Sequence, residues 1–246
     1  MAKKNNEQPE STIVFGVNPV VELLKAKRRK VYMIGVAENA PRGWSQIEPL
    51  LKGRFIQVVR MSRDRLAQMS EVTDHQGIIA QAQPFPFIKN PFDPKKSPFL
   101  ILLDCIQDTR NLGAILRSAY CTGVDGVILV KKHAAPLNAV ALKASAGLAE
   151  YLPIREVSSS ETAAQELRAA GYKIFLATFG GPGPEQFEFN EPLCVVVGSE
   201  GEGISSGLLS SGQKLTLPQR VPGISYNASV AAGILLFTIA SKRKVI

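Results

Sequence analysis

Residues 99–130 read FLILLDCIQDTRNLGAILRSAYCTGVDGVILV, and the fold turns on this stretch. At its ends, Phe99–Cys105 and Gly126–Val130 are near-continuous apolar runs, as parallel strands covered on both faces require. Between them Asn111–Cys121 has helical spacing. Leu112, Ile115 and Leu116 can turn toward a core, Arg110, Ala114 and Arg117 share another face, and Gly123 is placed to cap the helix end. A buried strand, a helix and a second buried strand form one β-α-β unit. The polar loop from Asp104 through Asp108 to Asn111 then falls at the carboxyl end of the first strand, where open α/β sheets bind ligands.

The same rhythm continues downstream. Ala139–Tyr151 and Glu161–Ala170 read as helices, and Tyr172–Thr178, Leu193–Val197 and Lys214–Leu217 as strands. Asn227–Lys242 reads as a closing helix, so a doubly wound α/β domain is expected over 98–246. Upstream, residues 84–98 (PFPFIKNPFDPKKSP) hold five prolines in fifteen positions. No helix or central strand tolerates that density, so 85–97 reads as a semi-rigid linker. Before it, Val31–Val36, Phe55–Val59 and Gly77–Ala82 look like strands, and Trp44–Leu51 and Arg63–Met69 like helices. Asn18-Pro19 looks like an N-cap with proline at the first helical position. A small α/β domain over 12–84 follows, preceded by a polar tail, 1–11, that reads as disordered.

Composition narrows the partners. The chain has 246 residues, a formal charge of +8 and a pI near 9.5, which favours a polyanion, nucleic acid before membrane. The excess is uneven: 16 Lys+Arg against 9 Asp+Glu before Pro98, and 13 against 12 from it onward. The N-terminal part is therefore the one expected to touch phosphates. Cys105, Cys121 and Cys194 are odd in number and sit in apolar runs, the pattern of buried, reduced thiols in a cytoplasmic protein. No CxxC or Cys/His cluster suggests a metal. The start, MAKKNNEQPE, lacks an apolar signal core, and the longest apolar stretch, Ala228–Ala240, is too short to span a bilayer. That stretch reads as a buried helix, and no membrane association is expected.

Two further segments carry chemistry. Leu193–Val197 runs into Gly198-Ser-Glu-Gly-Glu-Gly203, a glycine-rich turn after a buried strand. Glycine lets backbone groups approach a ligand closely, and the pattern is not the dinucleotide-binding GxGxxG. Leu217–Val230 (LPQRVPGISYNASV) is irregular, and either Ser225 or Asn227 can cap the helix that follows. His75 and His133 are lone histidines, a type more often structural than catalytic.

In order and spacing, the segments at Asn111–Arg117, Gly198–Gly203 and Leu217–Val230 resemble the SpoU/TrmH-type RNA ribose 2′-O-methyltransferases of the SPOUT class. Phe15-Gly-Val-Asn-Pro19 and His75-Gln-Gly-Ile-Ile79 are similar to the ribosomal-protein-like α/β substrate-binding domain of the RlmB-like branch, which methylates guanosine in 23S rRNA. The resemblance spans about 13–242. It implies an N-terminal RNA-binding domain and a trefoil-knotted catalytic domain. It also implies S-adenosyl-L-methionine as cofactor, structured RNA as substrate, and a homodimer that completes the active site. By the same resemblance, Asn111 and Arg117 are the catalytic pair of the first motif, with Arg117 at the reacting ribose, Glu200 lies near the substrate, and Ser225 and Asn227 belong to the third motif. Gly198, Gly201, Gly203, Leu217 and Tyr226 would then surround the cofactor, with Gly198 leaving its approach path open. The third motif departs from the family pattern with Gln219 for Met, Val221 for Gly, Tyr226 for Leu and Ala228 for Val. Two rival readings are a methylase of tRNA ribose or of antibiotic-resistance type on rRNA, and a non-catalytic RNA-binding protein on the same scaffold. The joint presence of Asn111, Arg117, Glu200, Ser225 and Asn227 argues against the last.

Overall fold

Two sheets organise the chain, each in its own unit, 1–86 and 87–246. The computed structural model describes residues 10–221 and 223–246, so most of the tail read as 1–11 lies outside the described residues. The first unit runs β1 (Thr12–Phe15), α1 (Val17–Ala26), β2 (Val31–Ala37), α2 (Trp44–Leu51), β3 (Gln57–Met61), α3 (Arg63–Ser70) and β4 (Ile78–Ala82). Its sheet order is β1-β4-β2-β3, with β4 antiparallel to both neighbours and β3 parallel to β2. Val14, Leu24, Ile34, Leu66 and Ile79 are among its fully buried side chains.

Three details of this unit depart from the sequence reading. β1, built entirely of β-branched and aromatic residues, is a strand ahead of those read from the sequence, and it pairs antiparallel with β4. Helix α1 starts at Val17 behind Gly16, so Asn18 is not the cap and Pro19 is the third helical residue. The amide of Val17 donates instead to Gln76 Oε1 at 3.0 Å, and proline is tolerated because the first-turn amides have no helical acceptor. Strand β3 begins at Gln57, leaving Phe55 outside the ladder.

The second unit runs β5 (Phe99–Leu103), α4 (Thr109–Cys121), β6 (Gly126–Val130), α5 (Ala139–Ala144), β7 (Ile154–Val157), α6 (Ser160–Ala169), β8 (Lys173–Ala177), β9 (Leu193–Val197), β10 (Gln213–Leu215) and α7 (Ala228–Lys242). All six strands are parallel, in the order β10-β8-β9-β5-β6-β7. Every residue of β5, β6 and β9 is buried, matching their unbroken apolar composition. The winding reverses between β5 and β9, so the loops leaving these neighbours are adjacent at one edge. Helix α4 buries Leu112, Ile115, Leu116 and Ala119, exposes Arg110 and Arg117, and packs on α5 and α7.

Several expectations are corrected here. Ala139–Tyr151 is not one helix: Ala146 and Gly147 take φ of 54° and 85°, which ends α5 and starts a separate 3-10 turn at Leu148. The proline-rich stretch read as a semi-rigid linker is partly built into the second unit, because the Ile88 amide donates to Ile154 O at 2.9 Å and Phe92 is buried in the core beside Leu100 and Ile128. Of the three thiols only Cys194 is buried, and that burial pushes its pKa up; Cys105 is half-buried and Cys121 exposed. Helix α7 is buried on one side only, with Val230, Ile234 and Phe237 exposed at helical spacing. Among the described residues no helix is long and apolar enough to cross a membrane.

Gly113 shows how tightly α4 is seated. A Cβ there would lie 2.4 Å from Ala141 O and 2.5 Å from Ala144 Cβ. Gly113→Ala should therefore lower stability by about 1–3 kcal/mol, the usual cost of overpacking. Urea unfolding followed by circular dichroism measures this, and an unchanged midpoint would show that α5 yields without cost.

Candidate functional site

Three strand ends close around one cavity of about 410 Å³ at the carboxyl edge of the second sheet. The end of β8 contributes Thr178 and Phe179, and the turn after β9 contributes Gly198 through Ile204. The path from β10 into α7 contributes Leu215, Leu217, Ser225, Tyr226, Ala231 and Leu235. The size and the largely apolar lining, set with a few polar groups, are those of a small-molecule site.

The glycine turn is self-closing. Ser199 and Gly203 exchange two backbone hydrogen bonds of 3.0 Å, and the Glu202 amide donates to Ser199 Oγ at 3.2 Å. Gly203 takes φ of 71°, which favours glycine. A Cβ on Gly198 would sit 2.1 Å from Gly203 O. The fold itself therefore requires glycine at 198, whatever approaches from the cavity side. Gly201 and Gly203 differ: an added Cβ at either meets nothing within 4 Å. Below the turn, the buried Asp104 accepts from the Ser205 amide at 2.7 Å and so pins the loop to the end of β5.

The first segment meets the second directly. Asp108 caps α4 by accepting from the Arg110 and Asn111 amides, which fixes the first turn of that helix. From there Asn111 Nδ2 donates to Glu200 Oε1 at the mouth of the cavity. Asn227 is the cap of α7, accepting from the Ser229 and Val230 amides at 2.9 and 3.4 Å, so Oδ1 is committed to the helix start. Tyr226 donates its hydroxyl to Pro218 O at 3.3 Å.

The structure thus brings Gly198, Glu200, Gly201, Gly203, Leu217, Ser225 and Tyr226 onto one cavity, with Asn111 against Glu200. Arg117 and Asn227 do not line it; Arg117 is exposed further along α4. Sequence reasoning placed Asp104 in the loop after the first strand without giving it a role, and overlooked Thr178, Phe179 and Thr216 as site residues. Thr216 Oγ1 donates to Thr178 O at 2.8 Å and accepts from the Gly181 amide at 2.9 Å, which ties the β8 and β10 ends together. An acid closing a wholly apolar strand was the one available signal, for Asp104. His75 is structural, its Nδ1 accepting from the Gly77 amide at 2.9 Å inside the other unit. Among the described residues no group of three His, Cys, Asp or Glu side chains is placed to hold a metal ion.

A second cleft of about 610 Å³ lies beyond Glu202, lined by Cys105, Gln107, Lys132, His133 and Ser158 through Glu161. The start of α6 there is filled by its own Glu161, whose carboxylate accepts from its own backbone amide and from Ser159 Oγ at 2.8 Å, holding it below the usual carboxylate range.

Residues 98–237 match the SpoU rRNA Methylase family, and residues 13–88 match its RNA 2′-O ribose methyltransferase substrate-binding domain. The chain belongs to the SpoU rRNA methylase family. Among SpoU relatives, a TrmH family tRNA/rRNA methyltransferase of Bacillus subtilis is 34% identical over 242 residues, covering 94% of this chain and 95% of that one. The human mitochondrial rRNA methyltransferase 1 is 33% identical over 260 residues, covering 94% of this chain and 73% of that one. The SpoU methyltransferase AviRb of Streptomyces viridochromogenes, solved with its cofactor AdoMet, superposes with a TM-score of 0.80 over 96% of this chain and 92% of its own, at 22% identity. That likeness establishes the SpoU fold, with its substrate-binding domain ahead of the methylase domain.

The two kinds of glycine in the turn separate experimentally. Gly198→Ala should destabilise by about 1–3 kcal/mol, because its Cβ collides with backbone. Gly201→Ala should stay within about 0.5 kcal/mol of the parent, as open positions usually do. Thermal melts of both variants decide; equal melting temperatures would mean that the turn has room to open.

Proposed function

We propose that this SpoU-family protein transfers a methyl group from S-adenosyl-L-methionine to a ribose 2′-hydroxyl of structured RNA, a guanosine of 23S rRNA being the favoured target. The observation that carries this is the convergence of three separate segments on one cavity, with the Asn111–Glu200 contact at its mouth. The residues suit an adenosine with a charged tail. Leu209, Leu215, Leu217 and Leu235 offer apolar walls, Gly201 and Gly203 leave open space against backbone, and Glu200 and Glu202 supply acceptors. Bound there, the cofactor supplies a methyl group already activated on a sulfonium.

What remains for the protein is alignment and removal of one proton, and alignment alone can supply several kcal/mol of the barrier. The ribose oxygen bonds to the methyl carbon as the carbon–sulfur bond breaks, and the hydroxyl proton leaves to Glu200 or to solvent. Asn111 holds the Glu200 carboxylate in one position by donating to it. A guanidinium is a strong donor and a poor base. Arg117 accordingly serves to hold the ribose or its phosphate and to stabilise developing charge. Ser225 and Asn227 shape the segment that closes over the site, Asn227 through the helix cap.

Arg117 stands outside the cavity of its own protomer, and α7 exposes Val230, Ile234 and Phe237 as one apolar stripe. Both features support a homodimer in which α7 is an interface and the site is completed across it; the trefoil knot of the catalytic domain and a cytoplasmic location are proposed from the family resemblance alone. Replacing Ile234 and Phe237 together by Asp should give a monomer in sedimentation velocity, with loss of methyl transfer. A double variant that remains dimeric would move the interface elsewhere.

Arg117→Ala should lose at least about a hundredfold in single-turnover transfer at saturating cofactor and RNA, because misplacement near 1 Å costs that much. Cofactor affinity by calorimetry should stay near the parent value. A rate within a few-fold of the parent would demote Arg117 to a surface residue. The reaction itself is tested by transfer of labelled methyl to separated rRNA and tRNA, followed by mass-spectrometric mapping of the ribose. Label on tRNA alone would replace the rRNA reading, and no label on either would leave an RNA-binding protein on a methylase scaffold.

A further inference from the structure

The first unit carries an aromatic side chain that its own fold does not use. Phe55 precedes β3 and is fully exposed. Single exposed apolar residues are common and need no explanation of their own. What distinguishes Phe55 is its surroundings. The parallel pairing of Met33 with Gln57 brings the approach to β3 beside the start of β2, so Phe55 lies at the end of the sheet where Lys30 and Val31 enter. The preceding residue is anchored to the same place, since Arg54 Nη1 donates to Leu24 O at 2.9 Å in the last turn of α1. Lys25 in the last turn of α1 is followed, beyond the helix, by Lys27, Arg28, Arg29 and Lys30 without an acid among them, and 49–63 holds Lys52, Arg54, Arg60 and Arg63, also without one.

These cations are not equivalent. Arg29 is buried, donating to Thr12 Oγ1 at 3.2 Å and Gln83 O at 3.0 Å, and stacking on Phe85. It is a fold residue and not a phosphate contact. Lys25 is paired with Glu22 at 2.8 Å. Lys27, Lys30 and Lys52 remain exposed at this end, and Lys30 Nζ hovers 5.5 Å from the centre of the Tyr32 ring. Strand β3 is also the edge of its sheet, so nothing within the sheet covers this side.

We infer that Phe55 is a stacking platform for an unpaired RNA base, with Lys27, Lys30 and Lys52 holding the flanking phosphates. An open ring set among cations is the combination by which proteins hold single-stranded nucleic acid: the ring takes any base face and the lysines follow the backbone. Charge complementarity favours RNA over a protein partner here. The inference rests on the reading that this protein acts on RNA, and it names the loop or bulge, not the duplex, as what the first unit grips.

The test uses the full chain and two fluorescent probes, a short single-stranded RNA of mixed sequence and a blunt RNA duplex of equal length, in anisotropy titrations at several salt concentrations. Phe55→Ala should weaken the single-stranded probe on the order of tenfold, leave the duplex unchanged and keep the salt slope, while Phe55→Trp restores binding. Lys27→Ala should instead flatten the log–log salt slope by roughly 0.7, one phosphate contact on a single strand. Because Phe55 is exposed, neither substitution should alter the melting temperature. Equal single-strand affinity for the parent and Phe55→Ala overturns the inference and leaves the RNA reading standing. So does an equal loss on both probes, or a changed oligomeric state at unchanged affinity, which would make Phe55 a protein contact. Failure of the parent to bind either probe would remove both readings.

Discussion

The site depends on one topological constraint, the reversal of winding between β5 and β9. Parallel strands deliver their carboxyl ends to the same edge, and reversal makes two sequence-distant loops neighbours there. Asp104 turns that proximity into a fixed geometry. A buried carboxylate is costly unless it accepts hydrogen bonds, and Asp104 finds its acceptor role in the Ser205 amide on the far side of the glycine turn. The turn is thereby held at both ends, by β9 and by β5, and Glu200 is presented where the capped start of α4 can reach it with Asn111. Loosening Asp104 would move Glu200 without touching any group that faces the cavity.

Helix α7 serves two surfaces at once. Its buried side, with Leu235, Leu236 and Ile239, closes the cavity and packs on α4, and its other side carries the exposed stripe. A helix apolar all round has no solvent face of its own, so its sequence reports two partners and not one. Its far end is clasped as well. Lys242 Nζ donates to the carbonyls of Pro184, Glu185 and Phe187 at 3.1, 3.0 and 2.8 Å, and Arg243 to those of Phe189 and Glu191 at 2.6 and 2.9 Å. These cations also suit the negative end of the helix.

Much of this was legible in the residues. The apolar runs of β6 and β9 have the bounds read from sequence, because strands buried on both faces cannot admit a polar residue without a partner. The first-motif helix was legible from its face of Leu112, Ile115 and Leu116. What failed were features decided by tertiary pairing. α1 starts at Val17, one residue before the apparent cap Asn18, where Gln76, far along the chain, takes its amide. The intrachain reason for glycine at 198 was not legible, since only the closed turn reveals Gly203 O where a side chain would go. Phe179 and Thr216 carry no motif; they join the site only because β8 and β10 are neighbours.

The order of the walls along the chain has a consequence in time. The first unit, complete by β4, can fold while the rest is still being synthesised. The Asn111–Glu200 pair becomes possible once β9 has joined β5, yet the cavity still lacks the side supplied by Leu215 through Leu235. A nascent chain at that stage would hold both polar partners with nothing to keep a ligand against them. Arrival of α7 on α4 is therefore the step that matures the pocket, and a chain stalled before it would own a finished first unit without a closed cavity in the second.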